Sequence, residues 1–326
     1  TGTVAFRTFY WNRVRRIVPA ATVILLLICL ASFLVFQPFR ARDIGIDALS
    51  AFVFMSNWRF AVEGTDYFAA AAQTVSPVQH YWSLSIEEQF YFVWPALIFV
   101  ISAAILRRRW PQRYGTQLAA GVFGVVVSAS FGWALHTTAD NATWAYFDTF
   151  ARVWELGVGA LLAIGVGVLA RIPRTIKPVL SWLGLGLITA SLFLIAEGSL
   201  GFPAPWAALP VTGAALVIAA GVGGEPSYQQ FLRNPISTYI GDISYSLYLV
   251  HWPVIVLLAA VMNAGPAFDI CVLALAFAAA IAAYHFVENP LRRTDRATLT
   301  SRIAQFRRRE FTIGRTTKLA GLASGT

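Results

Sequence analysis

Eight apolar stretches, each about as long as a bilayer crossing requires, leave this 326-residue chain few folds to choose from. They fall at 18–38, about 86–106, 117–136, 149–170, 179–196, 205–222, 240–262 and 268–287. At a rise of about 1.5 Å per residue, roughly 20 helical residues cross a hydrocarbon core of about 30 Å. Backbone amides in that solvent must be paired within their own segment, so continuous apolar runs predict helices. The expected fold class is an all-α polytopic membrane helix bundle with about eight spans. Hydrophobic residues make up 57% of the chain and charged residues 13%, clustered between the runs, which excludes an ordinary soluble domain.

The clusters set the orientation. Residues 1–17 carry four arginines and no acid; later come Arg107, Arg108, Arg109 and Arg113, then Arg171, Arg174 and Lys177, then Arg292, Arg293 and Arg296. With residues 1–17 cytoplasmic, alternate crossing puts 107–116, 171–178, 223–239 and 288–326 on the same side. That side then holds 21 of the 25 Lys and Arg, as the positive-inside rule requires. The expectation is a multi-pass protein of the plasma (inner) membrane with both ends cytoplasmic. The net charge of +9 is then topogenic, and no nucleic-acid partner is expected. Segment 44–60, broken by Asp47, Asn57 and Arg59, is too short for two crossings and reads as an outer-face or re-entrant element. Residues 1–293 form the membrane domain, and 294–326 a basic cytoplasmic tail. Two cysteines and four histidines without ligand spacing give neither a disulfide framework nor a metal site. Gly157, Gly159, Gly165 and Gly167 suggest close helix packing. There is no internal repeat to support an inverted-repeat transporter.

Residues 80–95, HYWSLSIEEQFYFVWP, put Glu87 and Glu88 at the head of an apolar run. Ionisable residues there are expensive and usually functional. Ser85 with Glu88 three residues on also fits a capping box at a helix start, which would make Glu88 structural; Glu87 has no such role. FYWNRVRRIVPA (9–20) places Arg13, Arg15 and Arg16 where a helix enters the membrane, as a topogenic anchor or a grip for a polyanion, since guanidinium pairs with phosphate oxygens. In SYSLYLVHWPV (244–254), Ser244, Tyr248 and His251 share one helix face ahead of Pro253, and His251 is either an interhelical hydrogen bond or a catalytic group. RVWELGVGA (152–160) sets Arg152 and Glu155 at i, i+3, an internal ion pair. In HFVENPLRR (285–293), Pro290 and the arginines read as topogenic.

The central stretch resembles the W-S-L-x-x-E-E-Q-F-Y signature of acyltransferase family 3, matching at Trp82, Ser83, Leu84, Glu87, Glu88, Gln89, Phe90 and Tyr91. Residues 9–20 are similar to the family's F-Y-x-R-R-x-x-R-I-x-P element, with Asn12 in place of its first Arg. The elements at 152–160, 244–254 and 284–292 resemble three more, in the family's order. The resemblance implies an integral membrane O-acyltransferase. Its donor substrate would be acyl-CoA, held by Arg13, Arg15 and Arg16, and its acceptor a hydroxyl of an extracytoplasmic glycan or lipid; no bound cofactor is implied. Glu87, Glu88 and His251 would serve the chemistry, supported by Tyr248, Arg152 and Glu155. The family's basic element follows two further spans, the first carrying a catalytic His, for about ten in all. Here that element begins at residue 9, so the chain reads as N-terminally incomplete and inactive as it stands. A transporter or flippase, with the buried acids and His as a proton relay, is the alternative.

Overall fold

The computed structural model describes residues 6–64, 75–107, 111–195, 201–224 and 226–293, and their regular structure is helical throughout. The basic tail, Arg108, Arg109 and most of the loop before the central signature lie outside the described residues.

In chain order the helices are α1 (Phe6–Val35), α2 (Pro38–Phe52), α3 (Ser56–Val62), α4 (Tyr81–Arg107), α5 (Gln112–Asp140), α6 (Ala142–Phe147) and α7 (Thr149–Ile164). There follow α8 (Val166–Leu169), α9 (Lys177–Leu194), α10 (Ala208–Gly221), α11 (Gln230–Arg233), α12 (Pro235–Ala259) and α13 (Pro266–Ala283). A π-helical turn, Tyr284–Glu288, leads into α14 (Asn289–Arg293). The protein is thus an all-α, multi-pass membrane bundle. Among the described residues, six helices are long and apolar enough to cross a membrane. The runs at 149–170 and 205–222 form shorter helices: Gly165 ends α7 after 16 residues, and α10 begins only at Ala208. Segment 44–60 forms the latter part of α2 and the first five residues of α3.

Helices α5 and α7, α9 and α10, and α12 and α13 pack pairwise, while α1 lies against α2, α12 and the π turn. The closest backbone approach is between α9 and α10. A Cβ on Gly184 would lie 2.5 Å from the Gly213 carbonyl oxygen, and one on Gly213 would lie 2.7 Å from that of Gly184. Of the glycines singled out in sequence, Gly157 packs tightly, against Val127; Gly159 and Gly167 face open space, and Gly165 breaks a helix. Small residues at such crossings let dispersion and carbonyl contacts replace the hydrophobic drive that lipid cannot supply.

The helix ends sort into two groups. At one end Asn57 reaches Phe147 and Thr149, Ala204 N–H donates to Thr138 Oγ1, and Phe202 packs at a tilt against Tyr146. At the other, Lys177 Nζ donates to the Val222 and Gly224 carbonyls, and Gln229 Nε2 to Ser181 Oγ. This pairing of 137–149 with 201–208, and of 171–181 with 222–229, is what alternate crossing requires.

Candidate functional site

Helix α4 begins at Tyr81, so Ser85 and Glu88 lie inside it and the expected capping box does not form. Ser85 Oγ instead bonds Ser56 Oγ at 2.7 Å, both buried. Glu88 sits seven residues into the helix, roughly 10 Å from its start. It faces α1. Arg13 Nε donates to both carboxylate oxygens of Glu88, at 3.0 and 3.1 Å, and Nη2 donates to Oε1 at 2.7 Å. The guanidinium also lies 3.1 Å from the centroid of the Tyr91 ring. Beyond it, Tyr10 O–H donates to the Phe92 carbonyl at 3.1 Å. Numbering falls along α1 as it rises along α4, so the two helices run antiparallel.

The basic element and the acids of the signature are therefore one locus, where the sequence suggested opposite membrane boundaries. Arg13 is committed to Glu88, which leaves Arg16, exposed, and Arg15, half-buried, as the cluster's arginines turned to other partners. Glu87 is exposed beside this pair, and the Arg13 charge acts on it.

Gln89, one position on, ties α4 to three elements. Its Nε2 donates to the Phe54 carbonyl at 2.8 Å and to Asn57 Oδ1 at 2.9 Å, and its Oε1 accepts from Thr149 Oγ1 at 2.6 Å. Asn57 Nδ2 in turn donates to the Phe147 carbonyl and to Thr149 Oγ1, at 3.1 and 2.9 Å. Arg152 Nη1 lies 2.9 Å from Glu155 Oε1, as the i, i+3 spacing suggested. Its guanidinium stands 5.3 Å from the Trp82 ring and 5.6 Å from Tyr146, so this pair adjoins the signature.

The His251 element closes the other side. Tyr248 O–H donates to the His80 carbonyl, and its oxygen lies 2.5 Å from Ser83 Oγ. His251 Nδ1 donates to the Tyr248 carbonyl at 2.8 Å; a carbonyl only accepts, so Nδ1 carries the proton and Nε2 is the open acceptor. Ser244 does not join them, since it is exposed and bonds Gly241 within its own helix.

Two residues passed over in the sequence belong here. Glu288, read as part of a topogenic end, is 1% exposed and accepts from Ser246 Oγ at 2.8 Å. The Arg16 and Arg292 charges act on it. Its placement depends on the π turn, a distortion frequent at functional sites. The Tyr-x-x-x-Glu spacing was the only available signal. His80 is 2% exposed and packs against His251 and Tyr248, with ring centroids 5.4 Å apart in each case. Tyr245 O–H, donating to the Ile17 carbonyl at 2.8 Å, lies between the histidine and arginine groups. A polar seam thus runs inside the apolar bundle from Arg13 and Glu88, past Tyr245 and Glu288, to His80 and His251. Among the described residues no group of three or more His, Cys, Asp or Glu could hold a metal ion.

A family model described as an acyltransferase domain matches residues 2–285. The putative peptidoglycan O-acetyltransferase YrhL of Bacillus subtilis is 29% identical over 328 residues, covering 94% of this chain and 49% of that protein. The peptidoglycan O-acetyltransferase OatA of Listeria monocytogenes is 28% identical, covering 88% of this chain and 46% of its own. The O-acetyltransferase OatA of Staphylococcus aureus is 30% identical, covering 87% and 47%. The chain spans about half the length of the curated relatives it matches. No solved structure matches it.

Proposed function

Because the chain belongs to the acyltransferase family whose model spans residues 2–285, we propose that it is an integral membrane O-acyltransferase acting on cell-wall glycan. It moves an acyl group, acetyl by analogy with the named relatives, from acyl-CoA to a glycan hydroxyl. The donor enters from the cytoplasmic side of the plasma membrane, where both chain ends lie, and the acceptor is reached from the outside. The observation that carries this reading is the Arg13–Glu88 clamp, which joins the basic element to the signature acids inside one seam that ends at His251.

Acyl transfer forms a bond between the hydroxyl oxygen and the acyl carbon and breaks the carbon–sulfur bond of the thioester. The hydroxyl proton must leave, and the thiolate must be held or protonated. In this reading His251 Nε2 receives that proton. Arg16 and Arg15 supply the charge-assisted grip on donor phosphates. Arg13 positions the acidic pair, leaving the Glu87 carboxylate beside the seam.

The test uses the natural gene product containing this chain, in membranes, with labelled acetyl-CoA and peptidoglycan fragments. Arg16→Ala should raise the apparent KM for the donor about 10- to 150-fold, the worth of a lost charge-assisted contact. An unchanged donor KM at normal protein level removes the arginines from donor binding. Proton-coupled solute movement without any acyl transfer would favour a transporter instead.

A further inference from the structure

The chain re-enters the bundle just before α4. The turn at 77–80 lies against α12 where Trp252 Nε1 donates to the Ser76 carbonyl at 3.0 Å and His80 Nε2 lies 3.2 Å from the Leu249 carbonyl. Those α12 residues are 7 and 10 positions before its end at Ala259, so the turn sits roughly 10–15 Å below that end. Non-helical backbone at such depth is tolerated only where protein covers it or where it lines a hydrated cavity.

Three consecutive residues there carry orphaned polar atoms. Gln79, His80 and Tyr81 are 0%, 2% and 1% exposed. Among the described residues, Gln79 Oε1 and Nε2, His80 Nδ1 and Tyr81 O–H have no hydrogen-bond partner. Each such group costs about 1–3 kcal/mol when left unpaired, and native interiors rarely leave one, let alone three in succession. Their chemistry is complementary to a single kind of group. The Leu249 carbonyl can only accept, so His80 Nε2 carries a proton. The ring is 2% exposed and among the described residues no ion pair reaches it, so a buried cation is disfavoured and Nδ1 is a bare acceptor. Tyr81 offers a donor, and Gln79 one of each. The His251 ring stands beside them, 5.4 Å from His80.

We propose that Gln79, His80 and Tyr81 form a hydroxyl-binding niche beside His251, with His80 Nδ1 accepting from the hydroxyl and Tyr81 O–H donating to its oxygen. The hydroxyl belongs either to a non-reacting position of the sugar acceptor, whose reacting hydroxyl faces His251 Nε2, or to an ordered water that holds the acceptor in place. This deepens the function proposed above and rests on it for the activity assay, while the stability assay below stands without it.

Two variants of His80 separate recognition from scaffolding. Asparagine keeps an acceptor at the position of Nδ1 and loses the reach to Leu249; glutamine keeps the reach and loses the acceptor. His80→Asn should exceed His80→Gln in kcat/KM by about tenfold, the worth of one hydrogen bond. A split seen in acceptor KM identifies a sugar hydroxyl; one seen in kcat alone identifies water. Any other ranking of the two variants overturns the niche. The second measurement is thermal stability of the purified protein with and without soluble peptidoglycan fragments. Removing a satisfied hydroxyl destabilises, whereas removing an orphan is neutral or stabilising. Tyr81→Phe should therefore lower the melting temperature directly if water fills the niche, or abolish stabilisation by glycan if a sugar does. A melting temperature unchanged or raised in both conditions, with glycan stabilisation intact, overturns the proposal even if no acyl transfer is detected.

Discussion

Exchanging Glu88 for glutamine distinguishes the structure most sharply from a local reading of the sequence. In a capping box, Gln at the third helical position reaches back as Glu does and the change is nearly silent. In the folded chain Glu88 instead receives three close contacts from Arg13, 75 residues earlier, with the two side chains 20% and 14% exposed. An exposed pair of this kind contributes about 0.2–1 kcal/mol, and breaking a fully buried one costs about 3–5. Bidentate geometry and slight exposure place this pair between those limits, so about 1.5–3 kcal/mol of coupling is expected. The measurement is a double-mutant cycle of Arg13→Ala and Glu88→Gln, read in kcat/KM for acyl transfer and in the melting temperature after solubilisation. Arg13→Ala leaves the Glu88 carboxylate without its cation, and Glu88→Gln removes the charge and turns an amide donor towards the Arg13 guanidinium in place of one acceptor oxygen. The double variant should therefore recover about 10- to 150-fold relative to the product of the singles. Additivity within about 0.5 kcal/mol, in both activity and stability, would refute the clamp.

Two further outcomes follow from the bundle. Asn57→Ala removes a fully buried amide that serves Phe147, Thr149 and Gln89 at once; about 1–3 kcal/mol of stability should be lost, seen as a lower melting temperature, and a shift within error would count against the network. In a background with Cys29 and Cys271 replaced by serine, a cysteine at Gly64 should react with an impermeant reagent on intact cells and one at Thr175 only after permeabilisation; the reverse pattern would invert the orientation.

The sequence was most legible where information is local. Apolar runs became helices because the period of burial and the need for internal backbone pairing are written within each run. Arg152 and Glu155 met because i, i+3 neighbours on a helix must. The start of α4 was misplaced because HYWSLS carries polar groups that look like a lead-in. They are paired instead with distant partners, Ser85 with Ser56 and Ser83 with Tyr248. Such pairings leave no periodic trace. Glu288 was hidden in another way: Pro290 and Arg292 gave a complete account as a stop signal. The π turn that rotates Glu288 towards Ser246 is a tertiary outcome with no sequence code. His80 followed a loop, and nothing local shows that a loop returns to the interior.

The distribution of hydrogen bonds reverses the emphasis that the motif suggests. In an apolar surround, polar side chains with full sets of partners fix geometry, and those without partners mark where something else must bind. Glu88 and Gln89, inside the string that carries the resemblance, belong to the first kind: one is clamped by Arg13, and the other is held by Phe54, Asn57 and Thr149. Their effect is to hold α1, α3, α4 and α7 together around the seam. Gln79, His80 and Tyr81, immediately before the string, belong to the second kind. Tyr81 and Glu88 share the first turns of one helix, so clamping Glu88 also fixes where Tyr81 and the turn before it stand against α12. Loosening the clamp should then reach the histidine pair through α4 itself. Under the proposed function, the charge pair is then expected to alter turnover without touching the hydroxyl that reacts.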